Sequence, residues 1–285
     1  MKKLLIAFVM NIAFFMSTSY AQINITFDPA TAYQGKTFVA DINDTGTYKE
    51  ISATFLGTVV PLYKKDDHFR GIFGVKPAAP VGPQKIEITA TKDSGEIDHL
   101  TADVLVKPTK FKAEKLFFPP GKQDKLVAQK ISDDQEKVAS VMERASDEQL
   151  WSGKFLVPIK GRITSPYGAY RLYNGKRIAD HRGTDIGGNP TGTPIHAANS
   201  GVVAFAQLLP TIGSTLIIDH GQGIFSIYMH MSKTLVAVGE RIEKGQIVGR
   251  VGSTGLSTGP HLHWGLSVHN VRVNAFEWAN RLVAE

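Results

Sequence analysis

Two histidines stand one residue apart in GPHLHWG, residues 259–265, in a chain of 285 residues that contains nine histidines and no cysteine. On an extended strand residues i and i+2 point to the same face. His261 and His263 would then project into one pocket. A second segment, HRGTDIGG, spaces His181 and Asp185 four apart. A helix would put both on one face, but Gly183, Thr184, Gly187 and Gly188 favour a strand running into a loop. A third segment, YMH, ends at His230. Each is weak alone, because histidine pairs arise by chance and an H-x-x-x-D spacing is more often structural. Together they offer neutral imidazoles, a carboxylate and no thiol, the ligand chemistry of a catalytic zinc site. Three protein ligands with one open position is the arrangement that metal-assisted hydrolysis requires. Spacing does not decide which histidine of the HLH pair would hold the metal.

The elements that must position these groups read as β-rich, giving a mainly β fold. Residues 22–107 carry short runs rich in Val, Ile, Thr and Phe, such as TFVADI, ISATFL, RGIFGV and QKIEITAT, at intervals of roughly ten residues. Turn material such as Asp93-Ser94-Gly95 separates them. That pattern predicts a small immunoglobulin-like β-sandwich without a catalytic constellation. Residues 108–154 read as a connector with one amphipathic helix. Ser132 and Gln135 suggest a capping box, and Val138, Val141, Met142 and Ala145 form a narrow apolar face suited to packing between domains. Residues 155–285 alternate again in PIHAANSGVVAFAQ, STLIIDHG and FSIYMHM. They predict a compact antiparallel β-sheet domain, with a short helix at FEWANRLVA.

Composition narrows the function classes. Hydrophobic residues make up 42% of the chain, enough for real cores. Without cysteine there is no disulfide framework, and any metal must be held by His, Asp or Glu. Residues 1–21 have the order of an export signal: Lys2 and Lys3, an apolar core LLIAFVMNIAFFM, then Ser19-Tyr20-Ala21. That core is shorter than the roughly 20 residues a span needs, so cleavage after Ala21 is expected, and the mature chain carries no further membrane span. No cysteine follows to carry a lipid. Cleavage would remove two lysines and lower the net charge from +6 to +4, a mild bias toward an anionic envelope. No dense Lys/Arg block with interleaved aromatics is present, which argues against nucleic-acid binding.

HRGTD, IIDHGQGIFSIYMHMS and GSTGLSTGPHLHWG, in that order, resemble the lysostaphin/LytM-type zinc endopeptidases of peptidoglycan, with GRITSPYGAYRLYNG similar to their lead-in. The resemblance covers about residues 155–276. It implies that His181, Asp185 and His263 hold one zinc ion per chain and that His230 and His261 are the catalytic, non-ligand histidines. It implies an antiparallel LytM-type peptidase domain, peptidoglycan stem peptides as substrate and an exported protein, periplasmic or secreted. A periplasmic setting would favour D,D-endopeptidase chemistry by analogy. Ser226 stands where the family usually has Thr, which keeps the hydroxyl. Asn174 and Tyr228, two before His230 on the expected strand, are candidate substrate contacts. Gly252, Gly255 and Gly259 read as turn residues that let backbone approach the site. His68, His99 and His196 read as ordinary residues, His220 as structural and His269 as solvated. The competing expectation is a non-catalytic wall-binding or hydrolase-activating module, which the complete ligand set argues against. A third is a metallopeptidase acting on proteins or polyglycine bridges. The sequence names no protein partner.

Overall fold

The computed structural model describes residues 24–43, 48–115, 125–173 and 176–283. The expected leader and Asn174 lie outside them. The N-terminal sheet is built from β1 (Ile25–Asp28), β2 (Thr31–Tyr33), β3 (Thr37–Asn43), β4 (Tyr48–Phe55), β5 (Thr58–Lys65), β6 (His68–Gly74), β7 (Gly82–Lys92) and β8 (Ile97–Lys107). Their order is β1-β3-β6-β5-β4-β7-β8-β2. The runs β1-β3-β6-β5 and β4-β7-β8 follow the ABED and CFG strand orders of immunoglobulin-type domains, but β5 pairs with β4 as well as with β6 and joins the two runs, and β2 adds parallel to β8. Alternate residues turn inward, such as Ile86, Ile88 and Ala90 of β7. Phe38 belongs to the same core, stacked on Phe73 at 5.0 Å and edge-on to Phe55 at 5.1 Å.

The connector holds β9 (Ala113–Lys115) and helix α1 (Lys125–Val141). The capping box is not the start of this helix. Ser132 lies in its interior, and its hydroxyl donates to Glu136 one turn on, at 3.1 Å. The apolar face does form, but it packs elsewhere than expected. Val138 and Met142 bury against Phe205, Leu209, Phe225, Ile227 and Met229 of the C-terminal sheet. Contact between the two halves is instead direct. Val39 and Ile72 of the N-terminal sheet share one core with Val271 and Val273, and the Thr37 N–H donates to Glu277 Oε2 at 2.9 Å.

The C-terminal half contains β10 (Arg162–Ser165), β11 (Tyr170–Tyr173), β12 (Lys176–Asp180), β13 (Thr184–Gly187), β14 (Pro194–His196), β15 (Gly201–Leu209), β16 (Gly213–Gly221) and β17 (Ile224–Met231). It continues with β18 (Lys233–Thr234), β19 (Arg241–Ile242), β20 (Ile247–Arg250), β21 (His261–Val268), β22 (Val271–Val273) and α2 (Ala275–Asn280). The main sheet runs β10-β13-β21-β17-β16-β15-β19, with β22 beside β21. All its pairings are antiparallel. Leu262, Trp264, Leu266 and Val268 point into the core with no exposure, which leaves the alternate positions of β21 for the other face. Trp151 and Phe155 already belong to that core. The helix expected near the C-terminus is α2, whose N-cap Asn274 accepts from the Phe276 N–H. A second small sheet, β12-β11-β9, recruits connector strand β9 in parallel. No helix among the described residues is long and apolar enough to cross a membrane.

Candidate metal centre

Strand periodicity builds the centre. His261 and His263 share the open face of β21, opposite Leu262 and Trp264. Asp185 on β13 is the register partner of His263, so carboxylate and imidazole meet across the ladder. His181 enters from the segment just before β13. His181 Nε2, Asp185 Oδ1 and His263 Nδ1 then lie 3.2, 2.9 and 3.1 Å apart, taken pairwise. Tetrahedral zinc with ligand bonds of about 2.0–2.1 Å requires separations of roughly 3.3–3.4 Å. These three atoms are the convergent ligand group among the described residues.

The donor chemistry fits a cation. His181 Nδ1 lies 3.0 Å from the Pro166 carbonyl, which only accepts, so Nδ1 carries the proton and Nε2 a lone pair. That lone pair faces a carboxylate oxygen. Burial pushes the His263 imidazole down to about 4, which keeps it neutral at pH 7. Burial alone would raise the Asp185 carboxyl, but the His181 and His263 imidazoles packed against it hold it well below the usual carboxylate range. An anionic oxygen and two neutral nitrogens directed at one point are complementary to a divalent ion.

His230 reaches the same place by a local irregularity. Tyr228 and Met231 both face the core, although three positions separate them. Opposite them, β16 supplies only Leu216 and Ser214, so β17 carries an extra residue, a β-bulge. His230 occupies the bulge with φ of +62°, a left-handed conformation uncommon outside glycine. The bulge turns its ring toward the open face, 4.9 Å from the His261 ring and 6.2 Å from that of His263. His230 Nδ1–H donates to the Thr254 carbonyl at 2.8 Å and His261 Nδ1–H to the Gly259 carbonyl at 2.9 Å. Each ring therefore presents Nε2 as its free acceptor. Burial lowers the His230 pKa further.

The same bulge corrects the expectation for Tyr228. It does not share the face of His230. It is fully buried, accepting from the Ala198 N–H at 2.8 Å, with its hydroxyl 3.0 Å from Ser226 Oγ. It cannot touch a substrate. His220 completes that buried network, with Nδ1 donating to the Ser200 carbonyl and Nε2 accepting from Ser226 Oγ. His269 is half-buried rather than freely solvated, in the turn between β21 and β22 against Gly223. Gly255 has a positive φ and close backbone neighbours, whereas space beside Gly259 is open.

Several contributors carried no readable signal. The carbonyls of Pro166, Thr254 and Gly259 fix three imidazoles, yet any residue supplies a carbonyl. Gly183 is needed because a Cβ there would strike the His263 ring. A cavity of about 410 Å³ opens beside Asp185 and His261, bordered by Arg162, Thr164, Gly188 and Thr258. Arg162 and Thr164 lie in the GRITS lead-in.

Residues 179–275 match the sequence profile of Peptidase family M23. This part of the chain belongs to that family. The M23 region is 40% identical over 125 residues to the peptidoglycan DD-endopeptidase ShyA of Vibrio cholerae serotype O1, covering 44% of this chain and 29% of that protein. It is 38% identical over 116 residues to the DD-carboxypeptidase/endopeptidase Mpg of Neisseria meningitidis serogroup B, covering 40% and 26%. The chain thus spans under a third of the length of these relatives. A Pseudomonas aeruginosa structure carrying the peptidase M23 designation superposes with a TM-score of 0.64 at 24% identity, over 88% of this chain and 96% of that one. At that identity the likeness establishes the fold, here across the N-terminal sheet as well as the M23 region.

Proposed function

We propose that this protein is an exported zinc metallo-endopeptidase that hydrolyses peptide cross-links of peptidoglycan as a D,D-endopeptidase. The observation that carries the reading is the convergence of His181, Asp185 and His263 within hydrogen-bond distance, with the Nε2 atoms of His230 and His261 presented beside them. Bound at this centre, zinc would supply the Lewis acidity that activates water and polarises a peptide carbonyl. His230 and His261 divide the remaining work. Each Nε2 can take a proton, and once protonated can donate to the oxyanion that develops on the scissile carbonyl. The carbonyls of Thr254 and Gly259 hold both rings in the tautomer that this requires.

The names of the relatives, peptidoglycan DD-endopeptidase and DD-carboxypeptidase/endopeptidase, support the substrate class. The leader pattern and the location of that substrate support export, with the periplasm as the destination. In this organisation residues 22–107 form the sandwich, 108–154 the connector and 155–285 the peptidase domain. The stem peptides would lie in the cavity beside Asp185 and His261.

The test is digestion of purified sacculi followed by mass spectrometry of muropeptides. Zinc-loaded protein should convert cross-linked dimers to monomers by cutting the D-Ala-containing cross-link, and a chelator should stop it. Dimers left intact by zinc-loaded protein would overturn the proposal in favour of a non-catalytic wall-binding module.

A further inference from the structure

Helix α1 carries a buried acid that the proposed chemistry does not use. Asp134 is 4% exposed. Its Oδ2 accepts from both the N–H and the Oγ1–H of Thr211, at 2.7 and 2.6 Å. Packing does not call for an acid here, because Val138 and Met142 on the following turns already bury the helix. A buried carboxylate costs desolvation unless its hydrogen bonds compensate it. Both of its bonds go to one residue of one turn.

That turn leads to the catalytic bulge. The Thr211 carbonyl accepts from the Leu256 N–H at 2.7 Å, and the Ile212 carbonyl accepts from the His230 N–H at 3.1 Å. The Ser214 N–H donates to Thr254 Oγ1 at 2.9 Å, and Thr254 Oγ1–H donates onward to the Met231 carbonyl at 2.7 Å. The Thr254 carbonyl is the acceptor that orients the His230 ring. The two loops also touch backbone to backbone. Gly213 and Gly255 both have positive φ, and a Cβ on either would run into the facing loop. A shift of residues 211–213 therefore has no slack before it reaches Thr254 and His230.

We infer that Asp134 is a positioning residue: it pins Thr211, and through residues 211–214 and Thr254 it fixes the bulge that aims His230. The inference rests on the catalytic reading of His230. It also makes the peptidase domain depend on a connector residue some 20 positions ahead of its expected boundary.

The test uses zinc-loaded full chain and a defined cross-linked muropeptide. Asp134→Ala should lower kcat by about 10- to 100-fold, the scale of a misplaced catalytic group, with KM unchanged. It should also speed amide hydrogen exchange at His230 and Leu256. Asp134→Asn keeps a neutral acceptor in place and should recover most of the rate. Thr211→Val removes only the hydroxyl bond and should cost less than Asp134→Ala. Val138→Ala loses packing without touching Thr211, so it should lower the melting temperature and leave kcat alone. An Asp134→Ala enzyme with wild-type kcat overturns the inference, as does a loss that Val138→Ala matches. If Asp134→Ala does not fold, equal kcat values for Asp134→Asn, Thr211→Val and wild type overturn it instead. Failure of the underlying reading looks different: His230→Ala would then keep wild-type turnover, while exchange at His230 still responded to Asp134.

Discussion

Gly183→Ala places a methyl group against the ligand ring of His263. The added Cβ would lie 2.7 Å from Cε1 of His263, with Nε2 closer still, and 2.8 Å from the Trp264 carbonyl oxygen. The carbonyl cannot retreat, because β21 is paired on one side with β13 and on the other with β17. The ring has to give way. Restoring an ordinary contact of about 3.4 Å to Cε1 moves it by about 0.7 Å. Metal sites tolerate displacements of only about 0.5 Å, and the Nδ1 to Asp185 separation is 2.9 Å. Disturbing the support of a metal ligand costs about 10- to 100-fold in affinity, or roughly 1.4–2.7 kcal/mol. Zinc affinity measured by competition with a chromophoric chelator should fall by that factor. The metal-free protein should melt somewhat below wild type as well, because the fixed Trp264 carbonyl keeps part of the strain. Gly259→Ala, which meets nothing within 4 Å, is the matched control and should bind zinc normally. A Gly183→Ala protein with wild-type zinc affinity would refute the packing argument.

Other outcomes follow from the same geometry. His230→Ala should keep stoichiometric zinc while turnover falls about 10²- to 10⁴-fold; loss of the metal would instead make His230 a ligand. His220 is fully buried, and burial pushes it down to about 4 from an ordinary 6.5. Its contribution is therefore complete above pH 6.5 and is lost as pH falls toward 4, because the unfolded chain takes up a proton that the fold refuses. The full loss is about 3 kcal/mol. Denaturant titrations of metal-free protein between pH 7 and 4 should show a shallower pH slope for His220→Gln than for wild type, and equal slopes would contradict this.

Much of the centre was legible because side-chain alternation is a local property. HLHWGLSV announces two imidazoles on one face and an apolar core on the other, and β21 has that form. The assignment of ligands came from resemblance, since spacing alone treats His261 and His263 alike. Their neighbours across the sheet separate them: His263 faces Asp185 at 2.9 Å, whereas His261 Nε2 stands 3.7 Å away. Tyr228 was misread because a single inserted residue reverses a strand's faces, and only the pairing with β16 reveals the insertion. Ser132 was misread because an S-x-x-Q pattern looks the same at a helix start and in a helix interior. The parallel pairing of Ala113–Lys115 with β11 joins residues more than 50 apart, and nothing local marks it.

Anomalous diffraction at the zinc edge addresses the central claim most directly. Crystals of zinc-loaded protein should show one peak per chain, bonded to His181 Nε2, an Asp185 carboxylate oxygen and His263 Nδ1, with His230 and His261 close by but unbonded. A peak absent from this point, or held by His230 or His261 in place of His263, would contradict the account.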